Sequence, residues 1–388
     1  MERGGPPAIF SFLLTMPMSN SSILPVAILG TGFGQAVHLP ALQYHAQTEA
    51  IAIYHRDLAK ARGVAKSHGL PHSYDNLSEL LANGDIKAVT VASPPFLHFE
   101  MARQAILAGK HVLLEKPMTL QVGETIELYH LAQQRGVTVM PDFEFRFVPA
   151  WQYVSELLAQ GMVGSLRLVK VDWLVGSRAS ADRAWNWYAQ QEKGGGALGS
   201  LASHTFDYLH WFFGPARSVA ANLSVAIAER PDPLDNNRLK PVTAEDTALI
   251  SLTLDNNVPC QVNITSVAHG GRGHWLEIYG EKGSLVLGSD NLKDYVHGFR
   301  LFHHPAGQPM QELTVPTRLD FPKVFADGRL APVVRVVDEW VQSINRKRIP
   351  TASLRHGVYS QLLMDLTKQA HQEKQWLTVP DLDRLLAP

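Results

Sequence analysis

The chemistry-bearing residues of this chain gather at the ends of apolar runs. Glu115-Lys116-Pro117 follows His111-Val112-Leu113-Leu114, which places a charged amine where a buried strand stops. Upstream, Pro25-Val26-Ala27-Ile28-Leu29 runs into Gly30-Thr31-Gly32-Phe33-Gly34, a strand entering a glycine-rich turn. Gly30 and Gly32 permit a tight turn and close approach of backbone to a pyrophosphate, whose charge then rests on the next helix N-terminus. The preceding strand and following helix give this fingerprint its context. Its third glycine would fall at Gln35; Gly34 comes one position early, so a slightly altered helix-to-strand packing is expected. The second strand ends Ile53-Tyr54-His55-Arg56-Asp57, where an acid would bind the ribose hydroxyls of NAD. Here His55 and Arg56 come first. An arginine pairs bidentately with a 2′-phosphate, so NADP is favoured over NAD.

Composition narrows the classes. The chain has 388 residues, long for one domain, so two are expected. With 35 Lys and Arg against 36 Asp and Glu, there is no field to draw nucleic acid or an acidic membrane. The single Cys260 excludes a disulfide framework and a thiolate metal cluster. The 17 histidines show no ligand spacing with supporting acids, and His303-His304 before Pro305 reads as a surface strand end, so no metal is expected. Ala8 to Met16 is apolar but too short to span a bilayer, with Arg3 offset by Glu2. Residues 1–22 are expected to be a disordered extension, Met18 being a second possible start, and the location cytoplasmic.

Two grammars of hydrophobic spacing position these residues. From Ile23 to about Met140, short β-branched runs (Val26–Leu29, Ala50–Tyr54, Ala88–Ala92, His111–Leu114, Val137–Met140) alternate with helical stretches at Leu77–Asn83, Phe99–Gly109 and Val122–Gly136. That is the βαβ pattern of an α/β, doubly wound parallel sheet, a Rossmann domain over residues 23–145. After Phe147, helices at Ala150–Gln160 and Leu198–Phe213 flank longer alternating strands at Leu166–Val175, Thr247–Leu254, Val258–Val267, Trp275–Tyr279 and Ser284–Leu287. Asp255-Asn256-Asn257 and Gly280-Glu281-Lys282-Gly283 read as hairpin turns. Residues 146–388 are therefore expected to form an α+β domain with a large, mainly antiparallel open sheet, its C-terminal helices able to pack back on the first domain. The tract Glu229–Thr243, rich in Pro, Asp and Asn, reads as a surface loop.

Taken together, Gly30-Thr31-Gly32-Phe33-Gly34 with His38-Leu39-Pro40-Ala41-Leu42, Ser93-Pro94-Pro95 with His98, Ala108 to Pro117, and Gly194-Gly195-Gly196-Ala197-Leu198 leading to Ser203-His204 and Asp207 resemble the glucose-fructose oxidoreductase, inositol dehydrogenase and MocA family. The likeness runs from Val26 to about Val379. It implies that Lys116 lies beside the nicotinamide and hydrogen-bonds the reacting hydroxyl, that Pro94 and Pro95 line the nicotinamide side, with Ser93, His98 and Glu115 in the cofactor site, and that His204 serves as acid or base. Elementary chemistry agrees: a carbinol losing hydride must shed a proton, and an imidazole takes one near neutral pH. Lys116 can stabilise developing alkoxide charge.

One departure stands out. Many family dehydrogenases carry an aspartate four residues before this histidine, and here that position is Ser200. Ser200 shares a helical face with His204 and can hydrogen-bond, but it supplies no negative charge. Proton handling then falls on His204 alone or on another group. Trp185 and Trp187, with Arg183 and Tyr188, lie on the approach to the site as candidate sugar-facing aromatics, competing with a core role. Arg146 and Asp207 are candidate substrate contacts, competing with structural pairing at the domain junction. The expected function is an NAD(P)-dependent oxidoreductase acting on the hydroxyl or carbonyl of a small sugar or polyol, self-associating as a dimer or tetramer through its C-terminal sheet. The alternative is a catalytically weakened nucleotide sensor of the same fold.

Overall fold

The computed structural model describes residues 23–291, 294 and 298–387; the expected extension over residues 1–22 lies outside them. Six short strands form the first sheet: β1 (Leu24–Leu29), β2 (Thr48–Tyr54), β3 (His72–Tyr74), β4 (Ala88–Val91), β5 (His111–Leu114) and β6 (Val139–Pro141). Their order is β3-β2-β1-β4-β5-β6, parallel throughout. The three-residue β3, half exposed and poor in β-branched residues, left no run in the sequence pattern.

Local chemistry sets the helix ends. The Asp57 carboxylate accepts from the amides of Ala59 and Lys60 at 2.9 and 3.2 Å and starts the helix Leu58–His68. Gly136 ends Val122–Arg135 in the left-handed conformation, φ 64°. Both faces of the sheet are covered, so Val26, Ile28, Val89 and Leu113 are fully buried.

The second sheet has nine strands: β7 (Leu166–Leu174), β8 (Ser218–Ser224), β11 (Thr247–Thr253), β12 (Pro259–Thr265), β13 (Gly273–Gly280), β14 (Gly283–Ser289), β15 (Arg300–Pro305), β16 (Gln311–Leu313) and β17 (Leu377–Thr378). Between β8 and β11, β9 (Glu229–Asp232) and β10 (Arg238–Pro241) pair antiparallel as a separate hairpin. This corrects the loop reading of Glu229–Thr243: prolines and charges suit a half-exposed two-stranded ribbon as well as a loop, and Lys240 grips Asp232 across it at 2.5 Å. The nine-stranded sheet is antiparallel except where β12 lies parallel to β7. Its inner face packs on the helices; the outer face carries a polar ladder in which Asp172 meets Lys170 at 2.7 Å and Asn263 at 2.8 Å.

Two late helices join the halves. Leu330–Asn345 places Val333, Val336, Val337 and Trp340 in the core of the parallel sheet. Leu354–Glu373 packs Val358, Tyr359 and Leu362 into the second core, while its Asp365 accepts the amide of Val122 at 2.7 Å.

Candidate active site

The chain order of the first sheet reverses between β1 and β4, and the loops after β1, β4 and β5 gather at the same edge, where a crevice in such sheets takes its ligand. Gly30 has φ +124°, and a Cβ there would lie 2.4 Å from the carbonyl oxygen of Ala92. Only glycine serves at that position. A Cβ on Gly32 would meet nothing within 4 Å, which leaves open space over the turn. Gly34 does the close-packing work one position early: its Cβ would press Ile28 at 2.9 Å and Ala92 at 3.2 Å. The turn Gly34–His38 that follows is π-helical. The cradle thus fits a dinucleotide pyrophosphate.

Arg56 is exposed at the end of β2. His55 Nδ1 accepts the Asp57 amide at 3.0 Å, and the Asp57 carboxylate is engaged in capping. His98, 1% exposed, places Nδ1 2.8 Å from the Pro117 carbonyl and Nε2 2.8 Å from the Ser93 carbonyl, so it ties the loop after β4 to the loop after β5. Burial holds His98 below the usual imidazole range.

Behind Lys116 lies a buried cluster that the sequence did not announce. His38 Nε2 stands 2.9 Å from Glu115 and 3.2 Å from Asp142. Burial alone would push the imidazole down; the two carboxylates outweigh it and raise its pKa to about 9. Glu115 is held below the usual carboxylate range by His38, against its own burial, and burial beside Glu115 raises Asp142 to about 6. The cluster is an imidazolium between two carboxyl groups. Glu115 also accepts the Lys116 amide at 3.2 Å.

The second half supplies the opposing wall. Gly196, φ +96°, lets the chain turn against Glu245, whose Oε1 would lie 2.4 Å from a Cβ there and which caps Leu198 N at 2.9 Å. A π-helical turn, Leu198–Ala202, then feeds the helix Ser203–Phe213. Lys116 Nζ donates to the Ser200 carbonyl at 3.1 Å, across the junction between the two sheets. Ser200 Oγ donates to Gly196 O at 2.8 Å and meets Tyr188 OH at 2.8 Å; the Tyr188 ring lies beneath the guanidinium of Arg178, 3.2 Å from its centroid.

His204, 3% exposed, is boxed by Phe145 at 5.1 Å and Trp173 at 6.3 Å between ring centroids. Its Nε2 stands 3.6 Å from Glu144 Oε2. Burial, then the charge of Lys116, hold His204 well below the usual imidazole range. Burial, then repulsion from Asp142, raise Glu144 to about 8. Glu144 is the residue sequence reasoning missed. Nothing local in Glu144-Phe145-Arg146-Phe147 says that the carboxyl turns inward.

Arg146 and Asp207 sit together, away from any open surface, in a two-pronged pair at 2.7 and 2.8 Å, both nearly fully buried; Arg146 also donates to Thr351 O at 3.1 Å. Arg146 follows Glu144 by two residues and Asp207 follows His204 by three, so this clamp fixes the two elements that present the Glu144 and His204 side chains. Trp185 donates to Pro241 O at 3.0 Å and lies 5.1 Å from the Lys240 amine, so it secures the β9–β10 hairpin. Trp187 is half-buried beside Tyr188. Among the described residues no helix is long and apolar enough to cross a membrane.

Comparison with known proteins agrees with this architecture. Residues 24–143 match the model of an oxidoreductase family's NAD-binding Rossmann fold, and residues 155–379 its C-terminal alpha/beta domain. An uncharacterized oxidoreductase of Synechocystis sp. is 85% identical over 370 residues, covering 95% of this chain and 100% of its own. The D-xylose 1-dehydrogenase (NADP(+)) 2 of Haloferax volcanii is 40% identical over 133 residues, 34% of this chain and 41% of its own. Levoglucosan dehydrogenase in complex with NADH and L-sorbose superposes with a TM-score of 0.84 at 22% identity, covering 93% of this chain and 100% of that one, a likeness of fold. From its glycine cradle to its nine-stranded sheet, the chain belongs to the glucose-fructose oxidoreductase, inositol dehydrogenase and MocA family of NAD-binding oxidoreductases.

Proposed function

We propose that this oxidoreductase interconverts a hydroxyl and a carbonyl on a small sugar or polyol, with NADP preferred over NAD. The observation that carries the reading is the hydrogen bond from Lys116, after β5, to the Ser200 carbonyl at 3.1 Å, which brings the amine to the turn that leads into the helix carrying the buried His204. A bound nicotinamide dinucleotide supplies a hydride acceptor or donor. Gly30, Thr31, Gly32, Phe33 and Gly34 cradle its pyrophosphate, and Ser93, Pro94, Pro95 and His98, with Glu115 behind Lys116, shape its far end. Lys116 holds the reacting oxygen and offsets its developing charge. His204, uncharged at neutral pH, takes or returns the proton of that oxygen. Ser200 and Trp187 remain candidates for substrate contact.

The cofactor preference rests on Arg56. It is free at the β2 end to meet a 2′-phosphate, whereas the nearby acid, Asp57, is occupied by its own helix. A sensor without turnover drew its support from the missing carboxylate at position 200; a carboxyl at 3.6 Å from His204 favours the enzyme. Self-association through the outer face of the nine-stranded sheet belongs to the same reading, supported by that face being uncovered, and sedimentation checks it. The decisive assay incubates the protein with NADP or NAD and a panel that includes D-xylose and levoglucosan, following the absorbance of the reduced cofactor. Tight cofactor binding without turnover on any sugar or polyol would overturn the reading.

A further inference from the structure

Position 200 lacks a carboxyl, yet the site does not. Glu144 comes from the short turn after β6, and its Oε2 faces His204 Nε2 at 3.6 Å. The side chain is almost wholly enclosed, 8% exposed for the residue, with Phe143 and Phe145 on either side of it in sequence and both buried. A carboxyl in that position is costly unless it serves or is held neutral. The charged and titratable groups around it are Lys116, Asp142 and Glu115, and His274 faces the far side of His204. Glu115 and one oxygen of Asp142 face the His38 imidazolium at 2.9 and 3.2 Å, and the charge of Asp142 is also felt at Glu144. Among the described residues His204 Nδ1 has no hydrogen-bond partner, and its Nε2 faces the Glu144 carboxyl.

We infer that Glu144 replaces the carboxyl missing at position 200, and that Glu144 and His204 act as one proton-holding pair for the alcohol–carbonyl reaction. This rests on the reading under Proposed function. At neutral pH neither member is charged: burial and Asp142 keep the proton on Glu144 up to about 8, and burial with Lys116 keeps His204 unprotonated. The neutral contact at 3.6 Å is a loose one that tightens when a proton moves. When a carbinol is oxidised, its C–H bond breaks and the hydride leaves with both electrons for the nicotinamide dinucleotide. The O–H bond breaks as well; His204 takes that proton and hands it to ionised Glu144, so the pair gains one proton. Carbonyl reduction runs the same steps backward from the protonated pair. Oxidation therefore needs Glu144 ionised and rises as pH passes through about 8, whereas reduction falls over the same interval. Glu144 is a positioning and proton-storing residue that acts through His204.

Three proteins test this: the wild type, Glu144→Gln, and Glu144→Gln with Ser200→Asp. Infrared difference spectra of the proteins with bound NADP, taken between about pH 7 and pH 9.5, read the carboxyl directly. The wild type is expected to lose a protonated-carboxyl band that Glu144→Gln lacks. With D-xylose or levoglucosan as substrate, Glu144→Gln is expected to lower kcat at least about tenfold, to leave the cofactor Kd unchanged, and to abolish the rise of oxidation rate near pH 8. Moving the carboxyl back with Ser200→Asp is expected to recover part of that loss with a rise at lower pH. An unchanged kcat and pH profile in Glu144→Gln, or a Glu144 carboxyl already ionised at neutral pH, overturns the inference. If the wild type turns over no sugar or polyol of the panel while the Glu144 band titrates as expected, the substrate reading fails and the placement of the proton stands.

Discussion

The glycine cradle and the catalytic junction are built from opposite materials. At the cradle, recognition is a matter of backbone: Gly30 turns where no other residue fits, Gly32 leaves open space, and Arg56 is exposed at the end of β2. At the junction, five titratable side chains, His38, Glu115, Asp142, Glu144 and His204, lie almost wholly out of water, and each is shifted by burial and by its neighbours. The glycine turn itself lies within one short stretch of chain, Gly30 to Gly34. The junction needs β5, β6, the helix Ser203–Phe213 and the clamp between Arg146 and Asp207 to be assembled first. Binding of the dinucleotide and handling of the proton are therefore separable, and substitutions should divide along that line.

The clamp gives the largest effect. Arg146→Met leaves Asp207 buried and unpaired, so a loss of about 3–5 kcal/mol in denaturant unfolding is expected; a loss below about 1 kcal/mol would show that the junction does not depend on this pair. Next come the two groups proposed to react. Lys116→Ala and His204→Ala should each lower kcat/KM by about 10²–10³-fold, some 3–4 kcal/mol, while NADP affinity by fluorescence titration stays within about threefold. A parallel loss of cofactor affinity would merge the two regions. Gly30→Ala should do the reverse, weakening NADP binding and costing about 1–3 kcal/mol of stability through its positive φ and the contact with Ala92.

Proton linkage sharpens the contrast further. The folded protein keeps the His38 proton up to about 9, whereas an unfolded chain releases it near 6.5. The resulting stabilisation is complete below pH 6.5 and is lost as pH rises through about 9. A fall in Tm over that interval is expected in the wild type and should flatten in His38→Gln; a cradle variant such as Arg56→Ala should keep the wild-type slope. Arg56→Ala carries the smallest effect, about a tenfold drop in the preference for NADP over NAD, roughly 1.4 kcal/mol. An unchanged preference removes Arg56 from cofactor selection.

The same contrast explains what the sequence disclosed. Gly30 to Gly34, the β-branched runs of the parallel sheet and Lys116 at the end of β5 are local signals, because backbone shape and strand burial are written in consecutive residues. The hairpin β9–β10 was hidden by prolines and charges that an exposed ribbon and a loop share. Glu144 was hidden for a different reason. Its meaning depends on a histidine sixty residues later and on an arginine two residues away pairing with that helix, so no window of the sequence contains the pair. Arg146 and Asp207 belong together on the same ground: each looked available for a ligand until the fold joined them.

The helix Leu330–Asn345 also sets an order of events during synthesis. The last strand of the parallel sheet is complete at Pro141, but Val333, Val337 and Trp340, which close its core, are made roughly 190 residues later. A nascent chain must therefore carry the nucleotide-binding half with one apolar flank uncovered while every strand of the second sheet but β17 is being translated. A fragment cut after residue 145 inherits that same bare flank. Such a fragment is expected to aggregate unless the late helix is returned to it.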